Sequence, residues 1–285
     1  MINEFEITEV ETDYQDIERV QKPSLVYKYR TWNKGDVFND NVLLKNQLYL
    51  AHPESFVDEL DCRIPARYDL LTDKEIETWT EKMLRGEFPQ YNEAAIQRDI
   101  KHYTPRKITE FRDKDFIEKF NKGEWKSYNS LSGILSVCKQ PLNVAMWEMY
   151  GAEHSGICYG FATDELIREC KVGGGGDVLY VDELPTVHPF ESTLYKATIR
   201  VYTKLKHWEF EEEYRIRTFS EDNYQNANRI KTFPDHVLKE VTLGVNFDET
   251  QIPVIIETLK AKTYKPLLYK CISKENQLDR IPINY

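Results

Sequence analysis

Two textures divide this chain, and the boundary between them fixes the class of fold it can adopt. From Thr72 to about residue 121 the apolar residues recur at helical intervals; on both sides they gather in strand-length runs. "TDKE" (Thr72 to Glu75) is a capping box, followed by Ile76, Trp79, Met83 and Leu84 at helical spacing, with Gly86 as a stop. Asn92 caps a second helix holding Ile96 and Ile100. Thr104-Pro105 is expected to open a third, with Ile108, Phe111 and Phe120, closed by Asn121-Lys122-Gly123. The pattern predicts one α+β domain over residues 1–285, with a helical insertion at about 70–122 after the first strands.

The flanking runs supply the sheet. "SLVYKYR" alternates Leu25, Tyr27 and Tyr29 with Val26, Lys28 and Arg30, and "VLLKNQLYLAHP" reads as a helix end entering a short strand stopped by Pro53. Strands are expected at "SGILSVC", "GICYGF", "DVLYVDE", "KATIRVYT", "EEYRIRTF" and "LKEVTLGV", with "PLLYKCI" last. Short helices are expected at "LNVAMWEMYG", "TDELIREC" and "PVIIETLKA". Gly173–Gly176 reads as a flexible hairpin or connection, since no GK[ST] follows it as a phosphate loop would require. Residues 1–24 form an acidic lead-in with at most one short amphipathic helix.

A net charge of -10 disfavours broad non-specific binding to nucleic acid. Eighteen tyrosines suit clefts, where a ring packs and a hydroxyl stays solvated. The five cysteines are scattered without metal-binding spacing, so reduced, buried thiols are expected. The acidic N-terminus lacks the basic and apolar regions of a signal peptide, and no apolar run reaches the roughly 20 residues of a membrane span. The expectation is a cytoplasmic protein with no membrane association.

Chemistry concentrates in three stretches. Read as one strand, "WEFEEEYRIR" places Glu209, Glu211, Glu213, Arg215 and Arg217 on one face, with Arg215 relieving the repulsion between neighbouring carboxylates. "MWEMYGAEHSGICYGF" offers Tyr150 and Tyr159 as stacking rings and His154 flanked by turn residues. "ESFVDELDC" holds Asp58, Glu59 and Asp61, an acidic loop able to join Glu211 and Glu213 around a metal. No GxSxG, HExxH, Walker or dinucleotide-fold signature occurs, which removes support for hydrolase-triad, P-loop and Rossmann readings.

Together, "LVYKYR", "LLKNQLYLAHPESFVDELDC", "SGILSVC...MWEMYGAEHSGICYGF", "KLKHWEFEEEYRIR" and "VTLGV" resemble a bacterial family catalogued as domain of unknown function 2971, related in pattern to AbiGi-type abortive-infection proteins. Val57 and Glu59 depart from that family's usual Asn and Pro. A second resemblance is to ADP-ribosyltransferases. It rests on a basic and aromatic first strand, a mid-chain aromatic and a glutamate opening a late strand.

That second resemblance implies a mostly antiparallel split sheet that clamps NAD. Arg30 or Tyr29 would hold the adenosine ribose and Tyr150 would stack on nicotinamide, with His154 beside it. Glu213 would be catalytic, Glu211 its upstream partner and Arg215 the cation that fixes their geometry. A carboxylate stabilises the positive charge that develops on ribose as nicotinamide departs. The resemblance departs at the first strand, which lacks a plain histidine, and mid-chain, where no S-T-S triplet stands.

The implied role is an effector in phage defence or toxicity, modifying a protein or nucleic-acid acceptor with or without a defence-system partner protein. Two other classes remain open. One is a nuclease holding Mg²⁺ through Asp58, Asp61, Glu211 and Glu213, with Lys204 or Lys206 near the phosphate. The other is a non-enzymatic partner-binding module that uses the aromatic cleft for recognition.

Overall fold

The computed structural model describes residues 22–33, 35, 37–219, 226–275 and 277–285. The helix expected near the N-terminus lies outside them. In chain order the elements are β1 (Leu25–Arg30), α1 (Val37–Leu44), β2 (Gln47–Tyr49), α2 (Asp73–Glu87), α3 (Glu93–Glu110), α4 (Lys114–Leu131), β3 (Ser132–Cys138) and α5 (Val144–Met149). There follow β4 (Ile157–Ala162), α6 (Thr163–Glu169), β5 (Gly175–Asp177), β6 (Leu179–Val181), α7 (Thr193–Tyr202), β7 (Thr203–Leu205) and β8 (Glu213–Phe219). The chain ends with α8 (Asn226–Arg229), β9 (Ile230–Thr232), β10 (Leu238–Leu243), α9 (Ile252–Ala261), β11 (Leu267–Lys274) and β12 (Gln277–Pro282).

The fold is α+β, built on an eight-stranded sheet in the order β12-β11-β10-β4-β1-β3-β8-β5, with two-stranded pairs β2-β9 and β6-β7 beside it. Every pairing in the large sheet is antiparallel except β10 with β11. The expected split takes a specific form. β1 and β3 meet at one registered pair, Tyr27 with Cys138, whereas β1 matches β4 over six residue pairs and β3 matches β8 over seven. Beyond that contact β3 turns to bridge Ala51 through Ile134. A wedge therefore opens between two well-paired halves.

Alternation along β1 places its residues in different environments. Val26 joins the main core with Leu48, Leu135, Tyr159 and Phe161, while Tyr27 and Tyr29 pack on the opposite side with Cys138, Trp147, Cys158 and Cys271. Lys28 and Arg30 share the side of Val26 and reach the wedge. All five cysteines are buried and free, as expected.

Helical reading of the insertion holds at its first two caps and fails at both ends of the third helix. The Thr72 box and the Asn92 cap both form. Pro105, expected to open a helix, lies inside α3. The next helix starts at Asp113, whose carboxylate accepts from the Asp115 and Phe116 amides, and it runs through Gly123 to Leu131. The helical block thus extends beyond the expected residue 122. A second correction concerns "KATIRVYT". Its β-branched residues suggest a strand, but the Ser192 hydroxyl caps the Tyr195 amide and residues Thr193–Tyr202 form α7, whose last six residues are all buried. Burial on all sides of that last stretch overrides the weak propensity. β5 takes up Gly175 and Gly176 as an edge strand on β8, and β12 follows the strand expected to be last.

The turn from Gly151 to Gly156 is clamped by backbone. A Cβ on Gly156 would stand 2.3 Å from the carbonyl oxygen of Arg30 and 2.8 Å from that of Gly151. Neither atom can yield without moving β1 or the turn. Gly156→Ala is expected to cost about 1–3 kcal/mol, read as a lower urea midpoint at unchanged slope.

Candidate active site

The wedge is a cavity of about 290 Å³, near the lower end of small-molecule sites. One wall is β1 from Tyr27 to Arg30, and the other is β3 from Ile134 to Val137. Tyr49, Phe56, Trp208 and Tyr150 supply aromatic surface, and Asp61, Lys204, Glu211, Glu213 and Arg215 meet at the same hollow.

The route by which Glu211 and Glu213 arrive differs from the expected strand. Lys206–Glu211 is a 3-10 helix, and Glu212 has left-handed backbone at φ 44°, ψ 49°. Only then does β8 begin, so Glu209 and Glu211 share no strand face with Glu213, Arg215 and Arg217. The bend nevertheless returns both acids to the cleft, one from each side of the reversal. Glu212 itself does not line it.

Arg215 organises the floor. Its Nε donates to Glu213 Oε1 at 2.8 Å and its Nη2 to Glu213 Oε2 at 2.9 Å. Nη1 and Nη2 donate to the two Asp61 carboxylate oxygens, both at 2.7 Å, and Nη1 also donates to the Val201 carbonyl at 2.6 Å. One planar guanidinium thus holds two carboxylates in bidentate geometry. Burial alone would drive its pKa down. The Glu213 carboxylate, then Cys62 and Asp61, outweigh that effect and hold it well above the ordinary arginine value. This side of β8 is not a solvated charged face, since Arg215 has no exposed surface.

Glu211 is held by other donors. Lys204 Nζ donates to its Oε2 at 2.5 Å and the Tyr150 hydroxyl to its Oε1 at 2.7 Å. Lys204 also lies 3.6 Å from Asp61 and 3.8 Å from Glu213, and 4.5 Å from the centre of the Trp208 ring. Tyr150 stays a phenol: burial first, then its hydrogen bond to Glu211, push its pKa up. It is 39% exposed and so stands at the mouth of the cleft.

Other expected residues have different fates. Arg30 lines the cleft. Tyr29 borders it, but its hydroxyl donates to the Gln140 carbonyl at 2.5 Å and accepts from the Asn143 amide, while its ring meets Trp147 edge-on. His154 does not line the cleft. It stands in a left-handed turn at φ 63° with its ring stacked on Trp147, and its carbonyl accepts from the Asn246 amide. Asp58 lines the cleft and Glu59 does not.

Three participants have no place in the expected NAD site. Lys28 and Trp208 lie in stretches that carry the family resemblance but have no role there, and Asp61 stands out only as a metal ligand. Alternation of Lys28 with Tyr27 and Tyr29 is the available signal for the first. Among the described residues no group of three or more His, Cys, Asp or Glu side chains is arranged to hold a metal ion.

Residues 146–216 match the family described as Protein of unknown function (DUF2971), the first family that the sequence resembles. The matched segment carries Tyr150, Lys204, Glu211, Glu213 and Arg215, and leaves β1 and Asp61 outside. No curated protein and no solved structure matches the chain. Among the described residues no helix is long and apolar enough to cross a membrane.

Removing the guanidinium leaves two buried carboxylates facing each other. Arg215→Met is expected to destabilise the fold by about 3–5 kcal/mol in urea denaturation. Arg215→Lys should recover little of that loss, because one ammonium cannot span two bidentate partners.

Proposed function

We propose that the cleft binds NAD by its nicotinamide-ribose end and transfers ADP-ribose to an acceptor. One observation carries the reading: buried carboxylates, an aromatic hydroxyl and the basic end of the first strand converge on a single hollow of small-molecule size. The hollow admits one end of a dinucleotide, and Arg30 at the wall suits the anionic remainder of the ligand. A nuclease reading draws on the same acids together with Asp58, but three of the four are already engaged by a buried cation. Asp61 and Glu213 hold Arg215, and Glu211 holds Lys204. A metal ion would have to displace those contacts.

Hydrogen bonding divides the acids by role. Both Glu213 oxygens are gripped by Arg215, which suits a scaffold. Glu211 has one oxygen bonded to Tyr150 at the cleft mouth, and that oxygen keeps a second lone pair to accept from a bound ribose hydroxyl. Glu211 is therefore assigned the carboxylate that stabilises the developing charge on ribose, and Glu213 with Arg215 positions it. This reverses the order read from the ADP-ribosyltransferase resemblance. Tyr150 orients Glu211 and offers its ring to nicotinamide. The acceptor is a protein or nucleic acid, and a role in bacterial defence rests on the resemblance alone.

NAD at 100 times its dissociation constant is expected to stabilise the protein by about 2.7 kcal/mol, seen as a rise in melting temperature. Glu211→Gln should abolish nicotinamide release while keeping the wild-type melting temperature within a few degrees. Absence of both binding and release in wild-type protein supplied with its cellular acceptor would sink the reading. Metal-dependent cleavage of DNA or RNA would favour the nuclease instead. Tyr150→Phe should retain the fold and reduce release by about 10–100-fold, the order of one lost transition-state hydrogen bond.

A further inference from the structure

Two lysines face the cleft, and their surroundings differ in kind. Lys204 has three carboxylates around its ammonium, those of Glu211, Asp61 and Glu213. Lys28 has no described carboxylate within ion-pair distance, and its Nζ donates to the Ser136 carbonyl at 2.5 Å across the splayed β1–β3 junction. Its strand neighbour on the same face, Arg30, is another cation.

We propose that the Lys28 Nζ is the proton acceptor of this cleft, taking the proton from the hydroxyl or water that attacks the ribose carbon as nicotinamide leaves. The proposal rests on the reading of the cleft as a site of glycosidic-bond cleavage. In that step the acceptor O–H bond breaks and its electron pair stays on oxygen, which forms the new C–O bond. The proton passes to the amine lone pair. The C–N bond to nicotinamide breaks, and its electron pair neutralises the ring nitrogen.

The groups facing Lys28 support this role. Burial is the largest influence and pushes the ammonium pKa well below the ordinary lysine value; Arg30 adds to it, as does Arg215 more weakly. Glu213 and Glu211 act in the opposite sense without reversing it. Directly across on β4 stands Tyr159, a phenol that burial keeps protonated. An uncharged amine here uses one N–H on Ser136 and keeps a lone pair for the cleft. The two lysines thus divide the work: the one ringed by carboxylates fixes the acids, and the other accepts a proton.

Trace acetylation of the full chain with acetic anhydride, read peptide by peptide by mass spectrometry across rising pH, measures the free amine at each lysine. Lys28 is expected to react at least about one pH unit below exposed lysines such as Lys74. Lys28→Met, which keeps the apolar stem, should retain the NAD-induced rise in melting temperature and lose about 10²-fold or more in nicotinamide release. It should also lose the acidic limb of the pH profile, and Lys28→Arg should not restore it. An acetylation curve coinciding with that of the exposed lysines overturns the role of Lys28 while leaving nicotinamide release in place. Retention of the wild-type rate and pH profile by Lys28→Met overturns that role equally. No release by the wild type overturns the reading of the cleft together with this proposal.

Discussion

The double fork of Arg215 is the interaction on which the rest of the cleft depends. It joins an acid from the loop before the helical insertion to an acid at the start of β8, and it ties both to the end of α7 through the Val201 carbonyl. Three segments far apart in sequence are thereby fixed around one planar cation. A charge buried to this degree is tolerable only when its donors are satisfied, and here two carboxylates and a carbonyl satisfy them. Lys204 extends the arrangement to Glu211. The acids are held in place before any ligand arrives, and preorganisation of this kind is what electrostatic stabilisation of a transition state requires.

Sheet topology explains why the hollow forms where it does. Two halves with long antiparallel registers meet at Tyr27 and Cys138 and then part, so the gap between them is lined by backbone that is paired on its far side. Residues alternate along β1, which sends Tyr27 and Tyr29 into the packing beneath and Lys28 and Arg30 toward the gap. A cleft built in this way has stiff walls. Its mouth, by contrast, carries Tyr150 just past the end of a short helix and Phe56 and Val57 on a loop.

Much of this is legible in the sequence because it rests on local rules. The capping box at Thr72, the Asn92 cap, the first strand and the Trp147 helix all follow from spacing within a few residues. Local rules fail where a long-range contact overrides them. β-Branched residues at 197–202 suggest a strand, but their environment buries both sides of a helix. Three glutamates in a row suggest a pleated strand, and the left-handed residue between the two useful acids is invisible to periodicity. The convergence of Glu211 and Glu213 with Tyr150 is what the ADP-ribosyltransferase resemblance implied, and no local spacing gives it. The bond from Arg215 to Asp61 is not, since nothing local links residues 154 positions apart.

Glu212 carries a consequence of its own. As the one member of the glutamate triplet that turns the chain, it contributes shape and no side chain to the hollow. Glycine or asparagine would adopt its backbone with less steric cost, and the carboxylates on either side would keep their places. The acidic run is thus two cleft-lining letters separated by a geometric one. A search pattern that insists on an unbroken acidic triplet would overlook chains carrying the same pocket.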